Sequence, residues 1–199
     1  MKSKHIQWVS ILMMLVLLVA SGSLPAWGQD MQESFAWEEI ERSMTDGLVE
    51  VDSGVDPQSS LSRGAFIRLL NGYFGLHRAA ENQFVDVPQD HPYYQDFLVA
   101  REAGYIGGFE DGTVQPDRPL SRQEAVVLGM QMLRYRTEGD FHPALMGIAD
   151  EDQIAQWSRP YLDQAVSRGY INLFADGTLR PEPTIRGEEA VYMLSRLTG

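Results

Sequence analysis

Three arginines, Arg63, Arg122 and Arg186, return at spacings of 59 and then 64 residues, each inside a related stretch of chain. The stretches are Leu61-Ser62-Arg63-Gly64-Ala65-Phe66, Leu120-Ser121-Arg122-Gln123-Glu124-Ala125 and Thr184-Ile185-Arg186-Gly187-Glu188-Glu189. A guanidinium offers a planar fork of donors suited to carboxylates and other oxyanions. By sequence each arginine falls on the first turn of a helix, where the backbone dipole disfavours a cation by about 0.3–1 kcal/mol. Something acidic should meet it. Two partners stay open: a carboxylate from a neighbouring repeat, or an anionic ligand held by the guanidinium together with free backbone N–H groups.

The elements that position these arginines can be read from the same stretches. Ser121 followed by Glu124 is a capping box, which starts a helix there and carries it to about Tyr135. Val126, Val127, Met130 and Leu133 form its apolar stripe, matched by Ala190, Val191, Leu194 and Leu197, and, one residue out of step, by Phe66, Ile67, Leu70 and Phe74. Each stripe has helical period, so each copy has one face to bury.

Ahead of each arginine helix a second helix is expected, over Pro92 to Ala103 and Pro160 to Arg168, with Tyr94, Phe97, Leu98 and Ala100, and Tyr161, Leu162, Ala165 and Val166, facing inward. Gly104 and Gly169 fit the left-handed position past a helix end, with Tyr105-Ile106 and Tyr170-Ile171 folding back. Asp111-Gly112-Thr113 and Asp176-Gly177-Thr178 mark tight turns, and Pro116 and Pro181 lie in extended lead-ins. The first copy keeps this frame loosely: Trp37 to Asp46 as helix, Gly47-Leu48-Val49 as stop, and Asp52-Ser53-Gly54 with Pro57 as turn and lead-in. Residues 29–34 and 136–143 read as tail and linker.

Residues 1–28 read as a secretory signal, with Lys2 and Lys4, an apolar run from Val9 to Ala20, and Ala26-Trp27-Gly28 as the cleavage site; cleavage after Gly22 is the alternative. No second apolar run follows, so no transmembrane segment is expected after cleavage. Both lysines lie in the signal, leaving 14 arginines against 28 acidic residues, a net charge of −14. That balance argues against a nucleic-acid partner. With no cysteine in the chain there are no disulfides, and stability must come from packing.

Catalytic chemistry finds no support. Glu188 and Glu189 are helical neighbours whose side chains diverge, and carboxylates on a first turn are ordinary dipole partners. Neither Asp150-Glu151-Asp152 nor the Asp-Gly turns follow a calcium loop, and His77, His91 and His142 lack metal-ligand spacing. No enzyme, cofactor or metal is expected.

Phe84-Val85-Asp86-Val87, Gly104-Tyr105-Ile106, Asp111-Gly112-Thr113, Pro116 and Leu120-Ser121-Arg122-Gln123-Glu124-Ala125 together resemble the S-layer homology family. The resemblance implies a mainly α fold in which three tandem helix-loop-helix repeats form a pseudo-threefold spindle around a central three-helix bundle. The boundaries expected are a signal peptide at 1–28, then repeats at 29–80, 81–140 and 141–199, the first divergent. It also implies binding of an anionic, often pyruvylated, secondary cell-wall polysaccharide, or another peptidoglycan-linked polymer, by an exported protein at the bacterial surface. The alternative is a structural envelope protein whose repeats contact other proteins. Carried over residue by residue, the polysaccharide-binding candidates are Asp86, Ser121, Arg122 and Glu124 in the second copy, Arg186 and Glu188 in the third, and Arg63 in the first, which lacks its glutamate because Ala65 takes that place. Tyr93, Tyr94 and Trp157 are second-rank candidates for stacking on sugar rings, with packing between helices the expected alternative role.

Overall fold

The three lead-ins to the arginine stretches meet in a closed ring of backbone hydrogen bonds. Leu61 N–H donates to the Ile185 carbonyl (2.9 Å), Ile185 N–H to that of Leu120 (2.9 Å), and Leu120 N–H to that of Leu61 (3.0 Å). Isolated antiparallel bridges at Ser60 and Arg186, Ser62 and Pro119, and Ser121 and Thr184 flank it. All three ring residues are buried, so these polar backbone groups are satisfied by one another rather than by water.

The computed structural model describes residues 58–81, 84–135 and 141–198, all within one unit of the chain, Glu39–Gly199. The expected signal segment, the helix over Trp37 to Asp46 and the turn around Ser53 lie outside the described residues. Five α-helices are described: α1 Arg63–Tyr73, α2 Tyr94–Ala103, α3 Arg122–Met132, α4 Arg159–Ser167 and α5 Gly187–Thr198. Short 3-10 helices span Pro143–Leu145, at the end of the stretch read as linker, and Glu151–Gln153. The class is mainly α, as the periodicity predicts. Helix α2 packs on α1, α4 on α3, and α5 touches both α1 and α3.

Local chemistry accounts for these limits. At α3 the capping box forms, with Glu124 N–H donating to Ser121 Oγ (3.4 Å) and Ser121 N–H to Glu124 Oε2 (3.0 Å). Helix α2 starts later than Pro92, with Tyr93 at its N-cap, and α4 starts one residue before Pro160. Gly104 closes α2 at φ 79°, and Tyr105 N–H returns to the Ala100 carbonyl (3.3 Å), fixing the fold-back read from the sequence. The stripes are buried, with Phe66, Ile67, Leu70, Met130 and Leu194 at 1% exposure or less, except at Phe74 and Leu133, which are partly buried.

Between α1 and α2 a buried polar chain adds to the apolar contact. The Tyr105 hydroxyl donates to Asn71 Oδ1 (2.7 Å), and Asn71 Nδ2 donates to the Asp96 carbonyl (2.9 Å). Arg68 pairs with Asp96 (2.9 Å) and lies over the Tyr93 ring.

The third copy departs from the sequence register. Helix α5 begins at Gly187, so Arg186 precedes the helix rather than occupying its first turn. The ring aligns Leu61, Leu120 and Ile185, which puts Arg186 opposite Ser62 and Ser121, and Gly187 opposite Arg63 and Arg122. Glu189, not Glu188, takes the place of Glu124, its Oε2 accepting from Arg186 N–H (2.9 Å) as Glu124 accepts from Ser121 N–H.

Candidate functional site

Each arginine helix begins against the lead-in of another copy. Arg63 and Gly64 N–H donate to the Arg118 and Pro116 carbonyls (2.9 and 2.8 Å), Arg122 and Gln123 N–H to Pro183 and Pro181 (2.9 and 3.0 Å), and Gly187 N–H to Ser59 (3.1 Å). These first-turn amides are therefore engaged by backbone carbonyls. Any ligand at these helix starts must be met by side chains.

The arginines differ sharply. Arg122 is 8% exposed, pairs with Glu189 of the third copy (3.2 Å) and lies over the Phe174 ring (5.0 Å). Burial pushes its pKa down and Glu189 pushes it back. Of the two partners open at sequence level, Arg122 has the carboxylate from a neighbouring repeat. Arg186 is largely open to solvent, its side chain 61% exposed and 3.9 Å from Glu188. Glu188 has its pKa raised by burial and by the adjacent Glu189, against the opposing pull of Arg186.

Arg63 is half-buried, with its guanidinium over the Phe109 ring of the second copy (5.5 Å) and no ion pair among the described residues. Its Nε is buried without a hydrogen-bond partner. Burial pushes its pKa down, Glu124 raises it from beyond ion-pair distance, and Arg118 lowers it again. Arg118 approaches the same ring at 6.0 Å and donates through both terminal nitrogens to Glu124. Two guanidiniums and one carboxylate thus converge on a partly exposed aromatic face.

Asp86 holds backbone. Its carboxylate accepts from Val114 N–H (2.9 Å) and Gln115 N–H (2.7 Å), holding Gln115 in a left-handed conformation at φ 51°. Asp150 repeats this with Leu179 and Arg180 N–H, both at 2.8 Å, and Arg180 at φ 53°. These aspartates fasten the turns that carry the second and third lead-ins.

Arg118 also lines a cleft of about 340 Å³, together with Ser121, Gln123, Glu124, Trp157 and Glu182. Gln123 is 3% exposed; its Oε1 accepts from Ser158 Oγ (2.7 Å) and Ala155 N–H (3.1 Å), and its Nε2 donates to Glu182 (2.6 Å). Trp157, between those pinned neighbours, is 53% exposed rather than packed between helices. Tyr93 and Tyr94 are packed, half-buried against the core.

The structure thus brings Ser121, Glu124 and Trp157 to one cleft and places Arg63 beside it, while Asp86, Arg186 and Glu188 lie elsewhere. Sequence reasoning missed Arg118, Gln123, Glu182 and the ring of Phe109. The available signal was Phe109 and Phe174, each two residues before its Asp-Gly turn.

Residues 83–126 and 147–191 match the family model of the S-layer homology domain, so the resemblance is borne out over these two segments. The chain is 25% identical over 190 residues to a surface-layer 125 kDa protein of Lysinibacillus sphaericus, covering 90% of this chain and 16% of that protein. It is 26% identical over 117 residues to a cellulosome-anchoring protein of Acetivibrio thermocellus, covering 57% and 25%. Cell surface glycoprotein 1 of the same organism is 23% identical over 155 residues, covering 73% and 7%. The chain spans a quarter or less of the length of these relatives.

Proposed function

We propose, on the premise of the two S-layer homology segments, that this chain is a non-catalytic module of the bacterial cell surface that holds to the wall by binding an anionic polysaccharide. One observation carries the reading: Arg63 and Arg118 both lie over the Phe109 ring, and Arg63 has no carboxylate partner among the described residues. A partly desolvated guanidinium without a counter-ion is costly, and an incoming carboxylate relieves that cost. The local balance of two cations against Glu124 also overcomes the repulsion expected from a chain at −12. A pyruvate ketal supplies a fitting carboxylate. The first repeat, the least family-like of the three, then provides the decisive cation.

Co-sedimentation of the purified chain with cell walls, before and after removal of their polysaccharide, tests this. Binding should disappear from stripped walls, weaken with added salt, and fall about tenfold or more in Arg63→Ala with the melting temperature little changed. Exposed Phe141 and Met146, at 75% and 66%, favour protein contact as the second reading. That reading gains if stripped walls retain the chain and Phe141→Ser releases it.

A further inference from the structure

We propose that the cleft lined by Trp157, Glu124 and Glu182 is a distinct subsite that takes an uncharged pyranose unit of the same polymer, stacked on Trp157. This rests on the wall-binding reading above and adds the class of sugar and the residues that receive it. Three observations converge.

The first is the way Trp157 is presented. Its neighbours are locked: Ser158 is fully buried, its Oγ bonded to Gln123 and to the Ala155 carbonyl (2.9 Å), and Ala155 N–H is tied to the same glutamine. A large indole kept half in solvent on a fixed turn is a rigid apolar platform, suited to the C–H face of a sugar ring.

The second is charge. Glu124 is neutralised by Arg118, and Glu182 receives only the neutral amide of Gln123, so Arg118, Glu124 and Glu182 sum to one negative charge. That disfavours a second carboxylate. Each glutamate retains lone pairs able to accept from sugar hydroxyls, and Ser121 lines the same space.

The third is continuity. Arg118 lies over the Phe109 ring, as Arg63 does, and also lines this cleft. The two subsites adjoin, so an acidic unit and a neutral unit along one chain can be held together, and their linked binding exceeds either alone.

The test uses the full chain and wall polysaccharide released from peptidoglycan, either intact or with its carboxylates reduced to alcohols by carbodiimide and borohydride, followed by titration calorimetry. The wild type should lose affinity on carboxyl reduction yet keep measurable binding. Trp157→Ala should lose about five- to tenfold on both forms, Trp157→Tyr should recover most of it, and Arg63→Ala should affect only the intact polymer. Unfolding curves of the Trp157 variants should overlay the wild type. Equal binding by Trp157→Ala and wild type overturns the subsite. So does loss of the residual binding when free amines on the polymer are acetylated, which assigns the cleft to a cationic sugar instead. Wild type that binds intact but not reduced polymer removes this subsite alone, whereas wild type that binds neither removes the wall-binding reading with it.

Discussion

Arg63 and Arg122 occupy the same position in two copies, each over a phenylalanine ring, yet only Arg122 is buried and paired with a carboxylate, which makes them a matched pair for separating folding from binding. Removing Arg122 leaves Glu189 uncompensated at a repeat interface, and Arg122→Ala should lose about 3 kcal/mol in urea unfolding, against under about 1 kcal/mol for Arg63→Ala. The pH dependence belongs to Glu188. Its pKa is raised in the fold by burial and by Glu189, so its stabilising contribution is present below the ordinary value of 4.5 and is lost as pH rises through the higher folded value. Glu188→Gln should therefore raise the melting temperature at pH 7 and leave it unchanged near pH 4, as scanning calorimetry at the two pH values would read. The capping box and the Asp-Gly turns were legible because their chemistry is local. The register of the third copy was not, since following the arginine points to Arg186, whereas the Glu-Ala pair of Glu124-Ala125 recurs at Glu189-Ala190 and leads to the register the helix adopts. Nor does a local motif show whether an arginine is buried, because that depends on residues from another copy.

At the scale of elements, two repeat junctions among the described residues solve one packing problem with opposite volumes. Gly64 on α1 faces Tyr93 at the start of α2, and a Cβ added there would sit 2.3 Å from the ring. The equivalent Gln123 on α3 faces Ser158 at the start of α4, joined by a 2.7 Å hydrogen bond. Small meets large at one junction and large meets small at the other. Gly64→Ala should consequently destabilise by about 1–3 kcal/mol despite the better helix propensity of alanine, and much of that loss should vanish in the background of Tyr93→Ala, as a double-mutant cycle would measure. Gly129→Ala is the control. Its Cβ would meet flexible side-chain ends, Leu197 Cδ1 at 2.7 Å and Met193 Cε at 3.6 Å, so it should cost less. Helix existence and inward faces were plain from periodicity, whereas these paired volumes connect residues whose partnership appears only once the copies are docked.

For the molecule as a whole, the ring through Leu61, Leu120 and Ile185 supports the spindle, which we propose as the arrangement of the three repeats. It also explains why the divergent first copy belongs, since Leu61-Ser62-Arg63 fills a place in the ring although its surrounding sequence has drifted. Residues 81–136 alone should fail to unfold cooperatively in circular dichroism, because the Leu120 amide and carbonyl, and the apolar stripe of α3, would all lose their partners.

A closed cycle of three donors and three acceptors also fixes its own membership. A stack of repeats with open ends can lengthen by one, but here a fourth member would find no vacant amide, and two members leave one amide and one carbonyl unanswered. If the first repeat swings out, the orphaned groups are Leu120 N–H and Ile185 C=O, and the same segment of a neighbouring molecule fits them equally well. Concentrated protein warmed to partial unfolding and then cooled should accordingly yield interlocked dimers that fall back to monomers on dilution and rewarming, resolved by size-exclusion chromatography. On a crowded surface the same trade would stitch one molecule to the next without any new contact having to evolve.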